Sequence, residues 1–334
     1  MKILIIVIPV LLIFAAIAAL ETTVPGVKPQ IPNPIPRDSV VTISYPYHHQ
    51  NDTSAVFKKH ASHGWPLKIP IYKNSSLIPR NFIVAYYGTL ENNRMGVLGE
   101  YHSNELLFRL NEQIDKWKKV LHGTPVTPAI QQIVVVAQNK PMADGMYRRR
   151  VGSKIVEEAY ALAKRTKGIL IMDIQPGHSN VQSEIRYYGN FLLRPDVHVA
   201  IDPEFYMHDN RIPGRSYGHM NTSEINWCIQ HLKKIVIQNG LPPKVLIIHR
   251  FFKKMIIVDE KIKLEPEVQL IIEMDGFGSP ALKRNSFYYS IYNEPLSFAG
   301  FKLFYKNDVT YGKRMMQPQE VLGLYPPPVY VQYQ

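Results

Sequence analysis

The sequence predicts an α/β fold, a (β/α)8 TIM-like barrel behind an N-terminal signal or anchor and a Pro-rich tether. Three observations carry this. Apolar runs of strand length alternate with amphipathic helical patterns. Eight such runs can be counted between Phe82 and Tyr333. Several end abruptly in acids, amides, Pro or Gly, as buried parallel strands do when their C-terminal tips carry chemistry. No G-x-G-x-x-G or P-loop pattern follows the first strand, which disfavours a doubly wound open sheet.

The chain has 334 residues, 46% hydrophobic, enough for one barrel of about 250 residues plus a preamble. Met1-Lys2 precedes an apolar run, Ile3 to Leu20, with Ala16-Ile17-Ala18 resembling a cleavage site. Residues 1–20 therefore read as a signal peptide or a membrane anchor, and the protein as exported, extracellular or tethered facing outside. Residues 21–38, with prolines at 25, 29, 32, 34 and 36, read as an extended linker. Residues 39–81 form a preamble or cap with short strands at Val40–Ile43 and Leu67–Ile71. Its His48, His49, His60 and His63 lack ligand spacing and read as surface histidines rather than a metal site. Asn51, Asn74 and Asn221 begin glycosylation sequons.

Residues 82–334 hold the barrel. Strand one is Phe82–Gly88. A helix follows over Glu105–Leu121, with Asn104 as its cap and Leu106, Leu107, Leu110, Ile114 and Trp117 as its apolar stripe. Strand two is Ile130–Gln138, helix two Val151–Lys167, strand three Gly168–Gln175. Helix three, Asn180–Leu193, is capped by Asn180. Strand four is Val197–Phe205, and after a long polar loop Asn221 caps a helix over Ser223–Gln238 that Gly240 closes. Strands five and six are Lys244–Arg250 and Val268–Gly276. Pro280–Tyr292 reads as an aromatic helix, Phe298–Lys306 as strand seven, Pro318–Gly323 as a short helix and Val329–Tyr333 as strand eight.

The net charge is +12, but the basic residues are scattered, Arg148 to Arg150 among them, without interleaved aromatics. This argues against nucleic acid as a partner and for a solvated basic surface, with anionic polymers the competing reading. Cys228, the sole cysteine, lies in a helical pattern and reads as a buried small apolar group; no intrachain disulfide is possible.

The strand tips collect the candidate site. Asp173 and Gln175 end strand three. Asp202 and Glu204 end strand four, two apart and so expected on one face. Glu273 and Asp275 end strand six. Glu204, Asp202, Asp173 and Asp275 are the candidate catalytic acids, with Glu204 as proton donor. Gln175, Tyr86, Tyr206, His249, Arg250, Glu100 and Gln332 are candidate substrate contacts. Clustered carboxyls push their pKa values apart, which suits glycoside hydrolysis of a poly- or oligosaccharide without a cofactor. The same acids with His249 could instead hold a divalent metal for hydrolysis, although no His-x-His or His-Glu-x-x-His spacing exists. A barrel that binds a wall polysaccharide without cutting it is the third reading.

Asp202-Pro-Glu204 at a fourth strand resembles the arrangement in barrel glycoside hydrolases of the chitinase and muramidase types. Pro195-Asp-Val-His-Val-Ala-Ile-Asp-Pro-Glu204 lacks the Gly and middle Asp of the full chitinase pattern. The chain as a whole resembles exported bacterial barrel proteins. The resemblance implies a barrel with acid catalysis at the end of strand four.

Overall fold

The computed structural model describes residues 40–43, 45 and 59–334. The expected signal or anchor, the linker, His48, His49 and Asn51 lie outside the described residues. Among the described residues, no helix is long and apolar enough to cross a membrane.

Eight parallel strands close into a barrel: β1 (Phe82–Gly88), β2 (Val126–Ala137), β3 (Ile169–Ile174), β4 (Val197–Ile201), β5 (Lys244–Arg250), β6 (Val268–Met274), β7 (Phe298–Leu303) and β8 (Tyr330–Tyr333). Each pairs with its neighbours in sequence, and β8 closes on β1 through Tyr330–Ile83 and Tyr333–Tyr86. Arg148–Arg150 adds an antiparallel strand to the outer end of β2.

Every barrel strand is buried throughout except β2, which is half-buried at residues 126–128 and at Ala137, so both faces are apolar and alternation shows only in what each face touches. On β1, Phe82, Val84 and Tyr86 meet the helices, whereas Ile83 and Ala85 point inward. The interior is layered. Near the strand N-termini it is filled by aliphatics such as Ile83, Ile169, Val245 and Ile271. Toward the C-termini the same inward rows change to Gln131, Asp173, His249, Glu273, Lys302 and Gln332, all buried. Gly300 makes room in this upper layer. A Cβ there would sit 3.0 Å from both Ile271 and Tyr330 and 3.2 Å from the Glu273 Cβ.

Helices α1 (Ser103–Val120), α2 (Ser153–Arg165), α3 (Val181–Tyr187), α4 (Gly189–Leu192) and α5 (Thr222–Asn239) follow the first four strands. The predicted stripe of α1 is buried, and Trp117 stacks on Phe82 at 4.6 Å while its Nε1 donates to the Tyr333 hydroxyl at 2.9 Å. Asn104 does not cap α1. His102 holds that position without a side-chain bond, and the Asn104 amide oxygen accepts from Arg165 instead. Asn180 does cap α3, accepting from the Ser183 N–H at 2.8 Å. Asn221 and Glu224 form a capping box on α5, and Gly240 ends it at φ 61°. Cys228 is buried in α5 as expected.

The connection from β5 to β6 has no helix. A single 3-10 turn, Lys253–Met255, leads to Ile256–Ile257, which pairs in parallel with Met220–Asn221. The chain then runs along the polar face of α5, where Thr222 and Ser223 bond Asp259, and Asn226 bonds Glu260 and Lys263. The backbone of this segment is satisfied by α5 side chains rather than by its own helix. The aromatic helix after β6 is α6 (Pro280–Phe287), extended by a wider π turn over Tyr288–Tyr292. Two short helices, α7 (Asn307–Gly312) and α8 (Pro318–Leu322), complete the ring.

The preamble seals the opposite end of the barrel. Val40–Thr42 pairs antiparallel with Lys68–Pro70, and Ile43, Ile69 and Ile78 join the interior aliphatic cluster. Gln269 accepts from the Leu77 and Ile78 N–H groups at 3.0 and 3.3 Å. His60 is no surface residue: it is buried, stacked on Tyr325 at 3.7 Å and bonded to the Tyr292 hydroxyl.

Candidate active site

With the lower end plugged, the barrel opens only at the strand C-termini. A cavity of about 590 Å3 lies there, with Asp202, Glu204, Asp275, Lys302, Gln175 and Tyr87 on its polar side. Its walls are aromatic. Phe205, Tyr217, Phe251, Phe277 and Phe304 line it, and Tyr217 and Phe277 are about half exposed, at 53% and 48%. Such a cavity matches the size and polarity of ligand sites generally.

Asp202 and Glu204 reach the cavity by a different route from the one expected. Strand β4 ends at Ile201, and Asp202 caps a 3-10 turn over Pro203–Phe205, its carboxylate accepting from the Glu204 N–H at 3.1 Å. The turn, with Pro203 fixing its first residue, brings the two acids together, not strand alternation. The Glu204 carboxyl makes no hydrogen bond among the described residues.

Below the cavity floor sits a fully buried charge cluster. His249 Nε2 lies 2.8 Å from Asp173 Oδ2, and Nδ1 lies 3.0 Å from Asp275 Oδ2 and 2.8 Å from Glu273 Oε2. Lys302 Nζ donates to Asp275 at 3.0 Å and lies 4.2 Å from the centre of the Tyr87 ring. Gln131 donates to Asp173 at 2.6 Å and accepts from the Tyr330 hydroxyl. Glu273 Oε1 and Asp173 Oδ1 are buried without a hydrogen bond from described residues.

Lys302 and His249 face Asp173, Asp202, Glu204, Glu273 and Asp275, so carboxyls outnumber cations. Burial alone would lower the His249 pKa, but the Asp173 and Glu273 carboxyls outweigh it and hold the ring as imidazolium. Burial raises the Asp275 pKa, and the Lys302 ammonium and the His249 imidazolium together more than reverse this, leaving Asp275 below the usual carboxylate range. Glu273 has no such ammonium contact; burial raises it, and His249 only partly offsets the rise. Burial lifts Asp202 well above its ordinary value, with Glu204 and Asp275 adding to the rise against His249. Burial, then the Asp275 charge, pushes Glu204 up to about 7. One cavity thus presents an ionised carboxylate beside a carboxylic acid that keeps its proton near neutrality.

The remaining expected contacts divide. Gln175 lines the cavity, its amide oxygen taking the Ala137 N–H at 3.1 Å. Asp173 and His249 lie beneath it, in the cluster. Gln332 lies deeper, bonded to Tyr330 at 3.1 Å. Tyr86 faces the helices and bonds Tyr305 at 2.9 Å; its neighbour Tyr87 is the one that reaches the cavity. Tyr206 is buried with its hydroxyl on Glu224. Arg250 points away from the interior, fully buried, and binds Glu294 and the Ser290 carbonyl. Glu100 pairs with Lys306 in a smaller side cavity. Of the three cations the sequence offers as partners for these acids, Arg250, Lys302 and Lys306, only Lys302 pairs with one of them, Asp275; sequence reasoning missed Gln131 beneath Asp173 and the walls Phe251 and Phe277.

Among the described residues, no group of three or more His, Cys, Asp or Glu side chains has the geometry to hold a metal ion. Neither protein-family models nor curated protein sequences match the chain.

Proposed function

We propose that the protein is a glycoside hydrolase acting on a poly- or oligosaccharide at the mouth of the barrel. The observation that supports this best is the split between Glu204, raised to about 7, and Asp275, held ionised by Lys302, on one cavity. Two acids whose surroundings drive their pKa values apart are what acid-assisted cleavage of an acetal requires. Glu204 gives its proton to the leaving glycosidic oxygen. Asp275 supplies the opposing negative charge, as nucleophile or as the base that takes a proton from water. Asp202, kept protonated, donates a hydrogen bond to the bound sugar, and Asp173 orients His249 below. The aromatic walls offer stacking faces to sugar rings. The resemblance of Asp202-Pro-Glu204 to barrel glycosidases agrees with this assignment, and residues 3–20 support action outside the cytoplasm, either after cleavage or on a tether.

Release of reducing ends from chitin, peptidoglycan, β-glucan and α-glucan tests the proposal. Wild type cleaves at least one of them, and Glu204→Gln lowers kcat by about 100- to 10,000-fold while keeping affinity. Binding by wild type with no cleavage of any polymer identifies a carbohydrate-binding protein instead.

A further inference from the structure

The central cavity is not closed on itself. A second cavity of about 510 Å3 lies beside it, past the end of β2, and Met95 and Phe205 line both. A third, of about 130 Å3, shares Arg94, Phe304, Asn307 and Gln334 with the central one. The central cavity therefore adjoins a neighbour at Met95 and Phe205 and another at Arg94 and Phe304. Each of the two larger cavities alone falls in the range of about 300–1,000 Å3 that accommodates a drug-sized ligand. Together they exceed the needs of one sugar ring.

The second cavity is built for a polar, uncharged ligand. Its lining is rich in side-chain amides: Asn92, Gln138 and Asn139. The one cation there, Arg149, is already neutralised by Glu91 at 2.7 Å. Asn139 is exposed, and its amide has no hydrogen-bond partner among the described residues. Gln138 Nε2 donates to the Val136 and Ala137 carbonyls and Asn92 Oδ1 takes the Arg94 N–H, so the Asn139 amide, the Asn92 NH2 and the Gln138 oxygen are left to match sugar hydroxyls, while Phe205 gives both cavities one apolar face.

We infer that the second cavity is a separate binding subsite, and that the ligand is a chain-like, uncharged carbohydrate several units long whose scissile bond lies over Glu204. The bond-breaking half of this rests on the glycosidase reading; the binding half does not.

The test is isothermal titration of the Glu204→Gln protein with cello-, chito-, xylo- and malto-oligosaccharides of two to six units. For at least one series the hexamer binds ten-fold or more tighter than the dimer, and Asn139→Trp, which fills the second cavity from an exposed position, cuts that ratio to about two. Affinity that stops rising beyond two units in all four series, or a ratio that Asn139→Trp leaves unchanged, overturns the inference. Length-dependent binding in a protein that cleaves no polymer defeats the glycosidase reading and leaves the subsite standing. Cleavage without length-dependent binding does the reverse.

Discussion

Two clusters in this protein bury acids against cations, and they behave oppositely. Outside the barrel, Glu184 of α3 is fully buried. Arg148 and Arg150 bond it at 2.9 and 2.7 Å, and Ser179 adds a third partner. Asp144 takes the spare guanidinium edge of Arg148. Burial raises the Glu184 pKa, but its three partners outweigh that and leave it below the ordinary value. Inside the barrel mouth the same ingredients are mismatched: carboxyls exceed cations, Glu273 Oε1 and Asp173 Oδ1 go without hydrogen bonds from described residues, and burial raises the pKa values of Asp202, Glu204 and Glu273. Burial and charge are common to both. The separating feature is whether every acid has been given its partners; where it has, the cluster is scaffold, and where it has not, proton transfer becomes available.

The largest effect should come from breaking the satisfied cluster. Glu184→Gln leaves two guanidinium groups without their carboxylate and should cost about 3 to 5 kcal/mol of stability, read from urea unfolding near pH 7. Because the Glu184 pKa is lowered on folding, its contribution is present above the unfolded value and fades as pH falls through the folded one. The deficit should therefore shrink in acid.

In the mismatched cluster the sign reverses. Folding raises Glu204 from 4.5 to about 7, so the folded state holds a proton that the unfolded state releases across that window. Stability falls as pH rises through it, by up to about 3 kcal/mol. Glu204→Gln should then unfold at higher denaturant than wild type at pH 8, with little difference at pH 4. A gain in stability from a substitution that removes turnover marks the residue as retained for function.

Lys302→Met tests the other acid. Without its ammonium, Asp275 should titrate higher, and the acidic limb of the pH–rate profile should move to higher pH. If the limb stays in place, Lys302 does not set the charge of Asp275. The smallest effect belongs to a pair in neither cluster. Arg109 and Glu105, exposed on α1 at 2.8 Å, should leave the urea midpoint within error of wild type when Arg109 is replaced by Ala.

The contrast between the clusters also explains what the sequence discloses. Strand-length apolar runs ending in acids were sufficient to place all eight strands and to bring Asp202, Glu204 and Asp275 to one mouth. The face each tip residue takes was not readable. In a strand buried on both sides, such as Phe82–Gly88, large and small apolar residues occupy both faces, so nothing tells Tyr86 from Tyr87 or His249 from Arg250. Depth was hidden for the same reason: Asp173 and Gln175 share a face, yet one lies under the floor and the other on it. Arg148 and Arg150 looked like surface charge because their partner, Glu184, is 34 to 36 positions away and sits mid-helix without any local signal. The absent helix after β5 left a trace in Pro266 and the polar run before it, but only the bonds to α5 account for it.

The proposed hydrolysis depends on Glu204 holding its proton where an ordinary glutamate would not. Difference infrared titration of wild type against Glu204→Gln isolates the carbonyl band of that one protonated carboxyl. The account predicts that the band persists to about pH 7 before it is lost, and that Lys302→Met changes its midpoint. Loss of the band between pH 4 and 5 would mean that Glu204 is an ordinary solvated carboxylate and not the proton donor.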